Sequence, residues 1–329
     1  MALQVWLTKE DCLVQKVRKI LVALDLDAGG GLDPCGEAAL EAGLAIARHC
    51  KAIVTLMHVI SVPESADDVI PWHMQTLINV RKEKAEQILD AIVDREQKNG
   101  LKIDHCISVG SDWHELLLAV TDISYDLVIT GSRGRGIISR MLFGSVSNRL
   151  LRYCPVPVLA VKSPGIPEIN HIMVAHDLSP AGNAALQGAA FIAGVSGARV
   201  SVLHVLELPE QGRFLGEVVK HDINTRKDKA RQLLEHECAA LGIGSCSTIH
   251  VTEGEAYASI LDFLRKHPAD LLSMGTVSNS GFKGVVVGNT AENILPWVNC
   301  SLLAVKPEGF VNPVSIPGPD ASAIKTGMR

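Results

Sequence analysis

Residues 131–162 read GSRGRGIISRMLFGSVSNRLLRYCPVPVLAVK, and this stretch decides the fold. An apolar run, Asp126 to Thr130, comes directly before it. Among its glycines are those at 131, 134 and 144, the last followed by Ser145. Because glycine lacks a Cβ, a ligand can come close to the main-chain N–H groups of such a loop. A helix that begins near Ser145 would direct its unpaired N–H groups and positive dipole end at the same spot. The order of strand, glycine-rich loop and helix therefore predicts an α/β fold with an anion site at the loop.

The same architecture occurs twice in the chain. Asp126-Leu-Val-Ile-Thr-Gly131 matches Asp270-Leu-Leu-Ser-Met-Gly275, and Leu159-Ala-Val-Lys162 matches Leu303-Ala-Val-Lys306. Near the start of each copy, Val22-Ala-Leu-Asp25 matches Val174-Ala-His-Asp177, but His58 matches His204 at an offset shorter by six residues. The first copy therefore carries six extra residues after its first strand, within the segment Asp27–Gly36, which we expect to be flexible.

The length of 329 residues suits two domains with independent cores. We expect a leader over residues 1–17, a first domain over 18–163, a linker over 164–169, a second domain over 170–307 and a flexible tail over 308–329.

Apolar runs rich in Val, Ile and Leu alternate with amphipathic segments in each copy, which favours parallel strands covered by helices on both faces. Right-handed crossovers then give a doubly wound five-stranded sheet, with ligands beyond the carboxyl ends of the strands. Asp25, Val59 and Gly131 fall at such ends and should converge on one crevice. The elements predicted in the first copy are strands Lys19–Asp25, Ala52–Ile60, Lys102–Ser108, Asp126–Thr130 and Pro157–Lys162, and helices Glu37–His49, Val69–Lys98, Asp112–Asp122 and Ser145–Tyr153.

The two last strands, Pro157–Lys162 and Ser301–Lys306, would each leave an open sheet edge if they stayed unpaired. A short linker keeps the two copies close together. We therefore expect the copies to pack through these strands as an internal pseudo-dimer, so that a homodimer of whole chains is possible but not required.

Composition narrows the function classes. The formal net charge of −5 and the lack of a basic, aromatic-rich strip argue against nucleic acid as a partner. Apolar runs fall short of the roughly 20 residues that span a bilayer, and the N-terminal residues lack the pattern of a secretory signal. None of the eight cysteines belongs to a CxxC pair, and we expect them to be reduced. A cytoplasmic protein without a membrane partner is expected.

The spacing G-x2-G-x9-G-S, followed by a helix and a Pro-flanked strand, resembles the nucleotide loop of the universal stress protein family. Gly288-Asn-Thr-Ala-Glu292 in the second copy is similar to the bacterial two-domain E subgroup of that family. The resemblance covers roughly residues 18–162 and 170–307. It implies Rossmann-like domains of the adenine nucleotide alpha hydrolase-like kind, and a stress-response protein that binds ATP or AMP, with or without Mg²⁺.

In nucleotide-binding members of that family, the acidic residue that ends the first strand and the main chain after the second strand contact adenosine. The glycine loop holds the phosphates. Carried over to this chain, the resemblance assigns a nucleotide site to Asp25, Val59, Gly131, Arg133, Gly134, Gly144, Ser145, Val146 and Ser147.

The second copy departs from this pattern. Ser278 stands in place of Gly134 and Asn289 in place of Ser145, and the three loop arginines at 133, 135 and 140 are replaced by Val277, Asn279 and Gly284. We expect this copy to hold triphosphate weakly or to take another ligand, since a Cβ and the loss of cations both disfavour phosphate. Its candidate ligand site comprises Asp177, Val205, Gly275, Gly288, Asn289 and Thr290. The first copy departs too, because Leu26-Asp27 leads into the extra residues, which would cover the adenosine pocket or block it.

Purely structural interpretations stand beside these. The glycine loops could serve tight strand–helix packing, Asp25 could cap the next turn, and Arg133 and Arg135 could form a solvated pair. His58 and His204 are more typical of hydrogen-bonded strand residues than of catalytic bases. No ligand spacing supports zinc binding by His171, His176, Cys238 and Cys246, and no metal or catalytic residue is assigned.

The sequence leaves two main function classes open, and a third possibility is an interaction scaffold that holds no nucleotide. The first is a nucleotide-binding regulator that acts on a protein partner. The second is an enzyme, at most a slow ATPase in which Asp25 or Asp27 holds Mg²⁺. The chain contains neither GxxxxGK[ST] nor a pyrophosphatase loop resembling SGGxDS, which makes an enzyme the weaker class.

Overall fold

The structure is a computed structural model that describes residues 17–26, 31–62, 72–132, 144–162, 168–207, 217–276, 288–307 and 310. The described residues belong to two compact units, the first ending at residue 162 and the second starting at residue 168. The leader before residue 17, residues 163–167 of the linker, and the tail apart from residue 310 lie outside the described residues. Within the described ranges, every helix is too short or too polar to cross a membrane.

The first domain is a doubly wound α/β unit. Its described strands pair in parallel in the order β3-β2-β1-β4-β5, so the chain reverses its direction of winding between β1 and β4. Such a reversal opens a crevice at the carboxyl ends of the two strands. The elements are β1 (Lys19–Ala23), α1 (Pro34–Cys50), β2 (Ile53–Ser61), α2 (Trp72–Lys98), β3 (Lys102–Gly110), α3 (Asp112–Ile123), β4 (Leu127–Gly131), α4 (Ser145–Tyr153) and β5 (Val158–Val161).

The second domain repeats this order. Its described strands pair in parallel in the order β8-β7-β6-β9-β10. The elements are β6 (His171–Ala175), α5 (Pro180–Ser196), β7 (Arg199–Leu206), α6 (Glu217–Ala240), β8 (Ser247–Glu253), α7 (Ala256–Lys266), β9 (Leu271–Gly275), α8 (Asn289–Ile294), a 3₁₀ turn (Leu295–Trp297) and β10 (Ser301–Val305). The prediction of two doubly wound α/β domains is confirmed.

The core of each domain lies around its central strand. Leu21 and Val22 of β1, and Ile172 and Val174 of β6, are all fully buried, because helices cover both faces of the sheet. A Cβ added to Gly43 of α1 would lie 2.5 Å from Cγ2 of Val22. Helix α1 can therefore approach β1 so closely only because it has a glycine at this contact.

The repeated aspartate before β4 and β9 has a structural role. Asp126 Oδ2 accepts hydrogen bonds from the main-chain N–H groups of Arg18 (2.8 Å) and Lys19 (2.9 Å). Asp270 Oδ2 does the same with Asn170 (2.9 Å) and His171 (3.0 Å). Each carboxylate thereby ties the start of the central strand to its neighbour, at the edge of the sheet opposite the predicted ligand crevice.

Helix α1 begins earlier than the sequence predicted. It starts at Pro34 rather than Glu37, because Asp33 Oδ1 accepts the Gly36 N–H (2.7 Å) and proline suits the first helical position. The last residues of the segment expected to be flexible therefore form the first helical turn. Strand β1 ends at Ala23, two residues before Asp25, whereas α4 has the predicted bounds.

An isolated antiparallel bridge joins Leu26 to Leu32. Residues 27–30 lie outside the described residues, but the bridge brings the two ends of the insertion together. Asp33 matches Ser179, the residue that caps α5 in the second domain, so the six extra residues are 27–32.

Candidate functional site

A cleft of about 760 Å³, a volume that includes open solvent at its mouth, lies at the carboxyl edge of the first sheet. The cleft is centred on the ends of β1 and β4, where the winding of the sheet reverses. Its walls are Ala23, Leu24, Asp25, Asp33, Cys35, Gly36, Met57, Val59, Asp112, Leu116, Thr130, Gly131, Gly144, Ser145, Val146 and Ser147.

Seven of the nine site residues expected from the sequence line this cleft: Asp25, Val59, Gly131, Gly144, Ser145, Val146 and Ser147. The other two, Arg133 and Gly134, lie outside the described residues, as do Arg135 and Arg140. Three segments that are distant in sequence therefore meet at one site.

The start of α4 forms one end of the cleft. Gly144 is the N-cap residue and has no side chain with which to cap the helix. The first-turn N–H groups of a helix have no partner within the helix, so this nine-residue helix offers donors and a positive dipole end to the cleft. The backbone of Gly144 is extended (φ −64°, ψ 166°), a conformation open to any residue. Its glycine is therefore not required by backbone geometry.

Ser147 connects this helix to the sheet. Its side chain is buried, and its Oγ donates a hydrogen bond to the carbonyl oxygen of Gly131 (3.1 Å). The hydroxyl fixes the first turn of α4 against the end of β4, so Ser147 helps to set the position of the N–H groups that face the cleft.

Gly131 also serves packing. A Cβ at this position would lie 2.6 Å from the carbonyl oxygen of Cys35, in the first turn of α1. In the second domain, a Cβ on Gly275 would lie 2.7 Å from Cβ of Ala181. These contacts support the packing interpretation for these two glycines, each of which lets the strand end lie directly against the first turn of the helix that follows the central strand.

Three carboxylates line the cleft. Asp25 is exposed beyond the end of β1, Asp33 caps α1, and Asp112 is the first residue of α3 and accepts a hydrogen bond from Ser61 Oγ. Nowhere in the described part of the chain do three or more His, Cys, Asp or Glu side chains form a group that could hold a metal ion.

Sequence reasoning missed several of these wall residues, chiefly Asp33, Cys35, Asp112 and Leu116. A signal was available for Asp112, because it follows the predicted third strand at the same carboxyl edge as Asp25 and Val59. For Asp33 the signal was the Asp-Pro pair, which is typical of a helix start.

The two strand histidines have structural partners. The Nδ1 atom of His58 lies 3.0 Å from the carbonyl oxygen of Leu24, and Nδ1 of His204 lies 2.8 Å from that of His176. Because a carbonyl oxygen only accepts, Nδ1 carries the proton in both rings. Both histidines are buried, and neither lines the cleft, which agrees with their interpretation as hydrogen-bonded strand residues.

The corresponding edge of the second domain is organised differently. Asp177 Oδ1 accepts the Ser179 N–H (3.0 Å) and also the Ser179 hydroxyl, whose oxygen caps α5 by accepting the Gly182 N–H (3.1 Å). Leu178, between them, has the unusual positive φ of 58°. The carboxylate of Asp177 is thus part of a closed turn with the capping residue, Ser179, whereas in the first domain the insertion separates Asp25 from the capping residue, Asp33.

The other candidate ligand residues of the second domain lie where the repeat predicts. Val205 is in β7, Gly275 ends β9, and Gly288 precedes α8, which contains Thr290. The side chain of Asn289 lies outside the described residues. Helix α8 has six residues against nine in α4, so it offers a shorter dipole.

Comparison with known proteins identifies the family. Residues 16–162 and 168–306 both match the sequence profile of the universal stress protein family. The chain belongs to this family. Its two universal stress protein domains confirm the tandem architecture that the repeat and the glycine loop predicted.

Two relatives named as universal stress protein E or its homolog are similar over most of the chain. The universal stress protein E homolog of Haemophilus influenzae is 23% identical over 279 residues, which cover 78% of this chain and 85% of the relative. Universal stress protein E of Escherichia coli K12 is 26% identical over 226 residues, which cover 62% of this chain and 69% of the relative. The predicted similarity to the E subgroup is confirmed.

Two solved universal stress protein structures share the fold of both domains. A putative member from Pseudomonas aeruginosa UCBPP-PA14 has a TM-score of 0.65 at 22% identity, covering 89% of this chain and 95% of that one. A member from Archaeoglobus fulgidus has a TM-score of 0.64 at 21% identity, covering 89% of this chain and 99% of that one.

Proposed function

We propose that this universal stress protein binds an adenine nucleotide, ATP or AMP, in the cleft of its first domain. The bound state regulates the contacts of the protein with a protein partner during stress, in the cytoplasm. The observation that carries the proposal is the convergence of the uncapped start of α4, the end of β1 and the end of β2 on one cleft.

The two ends of the cleft suit the two ends of a nucleotide. At α4, main-chain N–H groups and the helix dipole favour an anion, which matches phosphate. At β2 and α3, the side chains of Met57, Val59 and Leu116 offer apolar surface for a base. Asp25 and Asp33 follow β1, the strand between β2 and β4, and so lie between the two ends of the cleft. Their carboxylates suit the ribose, because a carboxylate accepts hydrogen bonds from hydroxyl groups.

The second domain is proposed to be a degenerate site or a site for a different ligand. Asp177 is engaged in the turn that caps α5, and the helix at the loop is short. Ser278 and the loss of the three loop arginines weaken phosphate binding further. Charge-assisted hydrogen bonds contribute about 1.5–3 kcal/mol each when desolvated, so the loss of one such bond suffices for a tenfold difference.

We expect the full chain to bind one adenine nucleotide tightly, and any second one at least about tenfold more weakly. Isothermal titration calorimetry with ATP and with AMP, each with and without Mg²⁺, measures the stoichiometry and affinity. Two sites of equal affinity would contradict the inequality of the domains. No binding of either nucleotide, together with no nucleotide released from freshly purified protein, would refute the proposed function.

The free thiols of the described cysteines agree with a reducing compartment. Among the described cysteines the structure forms no disulfide. Disulfides are rare in proteins of the cytosol, which supports the proposed cytoplasmic location.

A further inference from the structure

The turn that follows β6 in the second domain is closed in part by an imidazole. Nδ1 of His176 accepts the main-chain N–H of Leu178 (3.0 Å). Nε2 then carries the proton of the neutral ring and lies 3.4 Å from Oε2 of Glu237 on α6. Both nitrogens of a protonated imidazole are donors, so Nδ1 can hold Leu178 only while the ring is neutral.

The backbone of Leu178 needs this support. Its φ of 58° lies in the left-handed region, which a leucine rarely adopts. Such a conformation persists only where the surrounding structure holds it. The side chain of Leu178 is exposed, so packing holds it weakly. The hydrogen bond to His176 and the bonds between Asp177 and Ser179 on either side of Leu178 therefore keep the turn in place.

The first turn of α5 lies against the same groups. A Cβ on Gly182 would lie 2.6 Å from Oδ1 of Asp177 and 3.1 Å from Nδ1 of His176, so the helix approaches both side chains closely. Ser179 Oγ caps the helix by accepting the Gly182 N–H (3.1 Å), while its hydroxyl donates to Asp177. Opening of the turn would release the Asp177 carboxylate and loosen the cap of α5 together.

The surroundings of His176 oppose a proton on the ring. Burial lowers the pKa of the imidazole to about 4, with Asp177 raising it, His204 of β7 lowering it and Asn183 of α5 raising it. Glu237 faces the ring from α6, and burial raises the pKa of this carboxyl group. An imidazole in water has a pKa of about 6.5, so an open turn binds the proton that the closed turn excludes.

This arrangement belongs to the second domain. The residue that matches His176 in the first domain is Leu24, whose side chain cannot bind a proton, and the insertion separates Asp25 from the cap of α1. The two copies thus differ in a titratable group at the carboxyl edge of their sheets, where the candidate ligand residues lie.

We infer that His176 and the turn from Asp177 to Ser179 form an acid-sensitive switch at the candidate ligand edge of the second domain. Protonation of Nδ1 sets two donors against each other, and the bond to Leu178 is lost. Leu178 then relaxes to a negative φ, and the turn opens and releases the Asp177 carboxylate from Ser179. The switch does not depend on nucleotide binding by the first domain.

Hydrogen exchange of the full chain, resolved by residue with NMR, tests the inference between about pH 7 and about pH 5, above the usual pKa of a carboxylic acid of about 4. Rates corrected for the intrinsic effect of pH give the opening equilibrium of the amides of Leu178, Ser179 and Gly182. This equilibrium is expected to rise by about tenfold per pH unit below about 6.5, because the open turn binds one proton more. The amides of β7 should keep their protection.

Two variants test the two parts of the switch. In His176→Asn, the amide oxygen replaces Nδ1 with an acceptor that does not titrate, so the acid response should vanish. Glycine adopts a positive φ readily, so Leu178→Gly should keep the turn closed after the bond is lost and show a smaller acid response. Lys51→Gly is the matched control, because Lys51 has the same φ of 58° in the first domain. Its response at Leu178 should equal that of the unaltered protein.

The outcomes decide the inference in either direction. An opening equilibrium that does not change with pH overturns it, and so does an acid response that His176→Asn retains in full. Loss of protection throughout β7 in step with the turn would mean that acid unfolds the domain and does not open a local switch. Circular dichroism checks that the variants fold. If His176→Asn does not fold, equal acid responses in Leu178→Gly and Lys51→Gly overturn the inference, and a smaller response in Leu178→Gly supports it.

Discussion

Replacement of Gly144 by Val is expected to abolish adenine nucleotide binding while leaving the fold intact. The side chain would stand at the start of α4, where phosphate must approach the N–H groups of the first turn. Loss of two charge-assisted hydrogen bonds, at about 1.5 kcal/mol each, corresponds to a loss of affinity of more than a hundredfold. The extended backbone of Gly144 accepts a β-branched residue without backbone strain, so the variant is expected to fold.

Gly288→Val is the matched control. Gly288 holds the corresponding place before α8 in the second domain, with a similar backbone (φ −69°, ψ 146°). Calorimetry should find the tight nucleotide site unchanged in this variant, and thermal unfolding should show that both variants fold. An unaltered affinity in Gly144→Val would mean that phosphate does not bind at α4.

Lowering the pH from 6.5 to about 4 is expected to destabilise the second domain by up to about 3 kcal/mol through His176. Burial lowers the pKa of this imidazole to about 4, an effect that the nearby His204 increases and that Asp177 and Asn183 oppose. The hydrogen bonding agrees, because Nδ1 of His176 accepts the N–H of Leu178 (3.0 Å) and must be unprotonated to do so.

The sign follows from the direction of the pKa shift. The folded state favours neutral His176, so its contribution is fully present above the unfolded pKa of about 6.5. This contribution to the stability is lost as the pH falls towards the folded pKa, by about 1.4 kcal/mol per pH unit. Glu237, whose Oε2 atom lies 3.4 Å from Nε2 of His176, offsets part of the loss. Burial raises the pKa of this carboxyl group, so the folded state binds a proton there more readily than the unfolded state as the pH falls.

A pair of variants isolates the imidazole. The first variant is Glu237→Gln, and the second adds His176→Leu to it, so the two differ only at residue 176. Leucine is chosen because Leu24 is buried at the matching position of the first domain. Urea unfolding from about pH 4 to pH 7.5, with peptide-resolved exchange labelling to distinguish the domains, gives the stability of each. The single variant should lose more stability in acid than the double variant. Parallel curves would show that His176 does not titrate as expected.

Much of the fold was predictable because local signals agreed with one another. The central strands are continuous apolar runs, which is what burial on both faces requires. Helix α4 was predicted with the bounds it has, since Gly144 and Ser145 mark its start and Cys154 with Pro155 follows its end. The start of α1 was missed because Asp33 and Pro34 were assigned to the insertion instead of being recognised as a helix cap.

The candidate site was predictable as far as strand topology determines it. Parallel strands end at one edge, so Asp25, Val59 and Gly131 had to meet there. Asp112 was missed although it follows the third strand at this same edge, because only the first, second and fourth strand ends were assigned to the crevice. The arginine loop, the domain boundaries, the pairing of the two last strands and the roles of the site residues remain predictions.

The bridge between Leu26 and Leu32 makes this protein a good starting point for an engineered biosensor. The ends of the insertion are held beside each other, with Asp25 and Asp33 of the cleft wall just outside them. Lengthening such a loop costs little, because the entropy of closure rises only with the logarithm of loop length. A fluorescent reporter domain inserted between these two leucines would be attached at the rim of the cleft, while the cap of α1 stays in place.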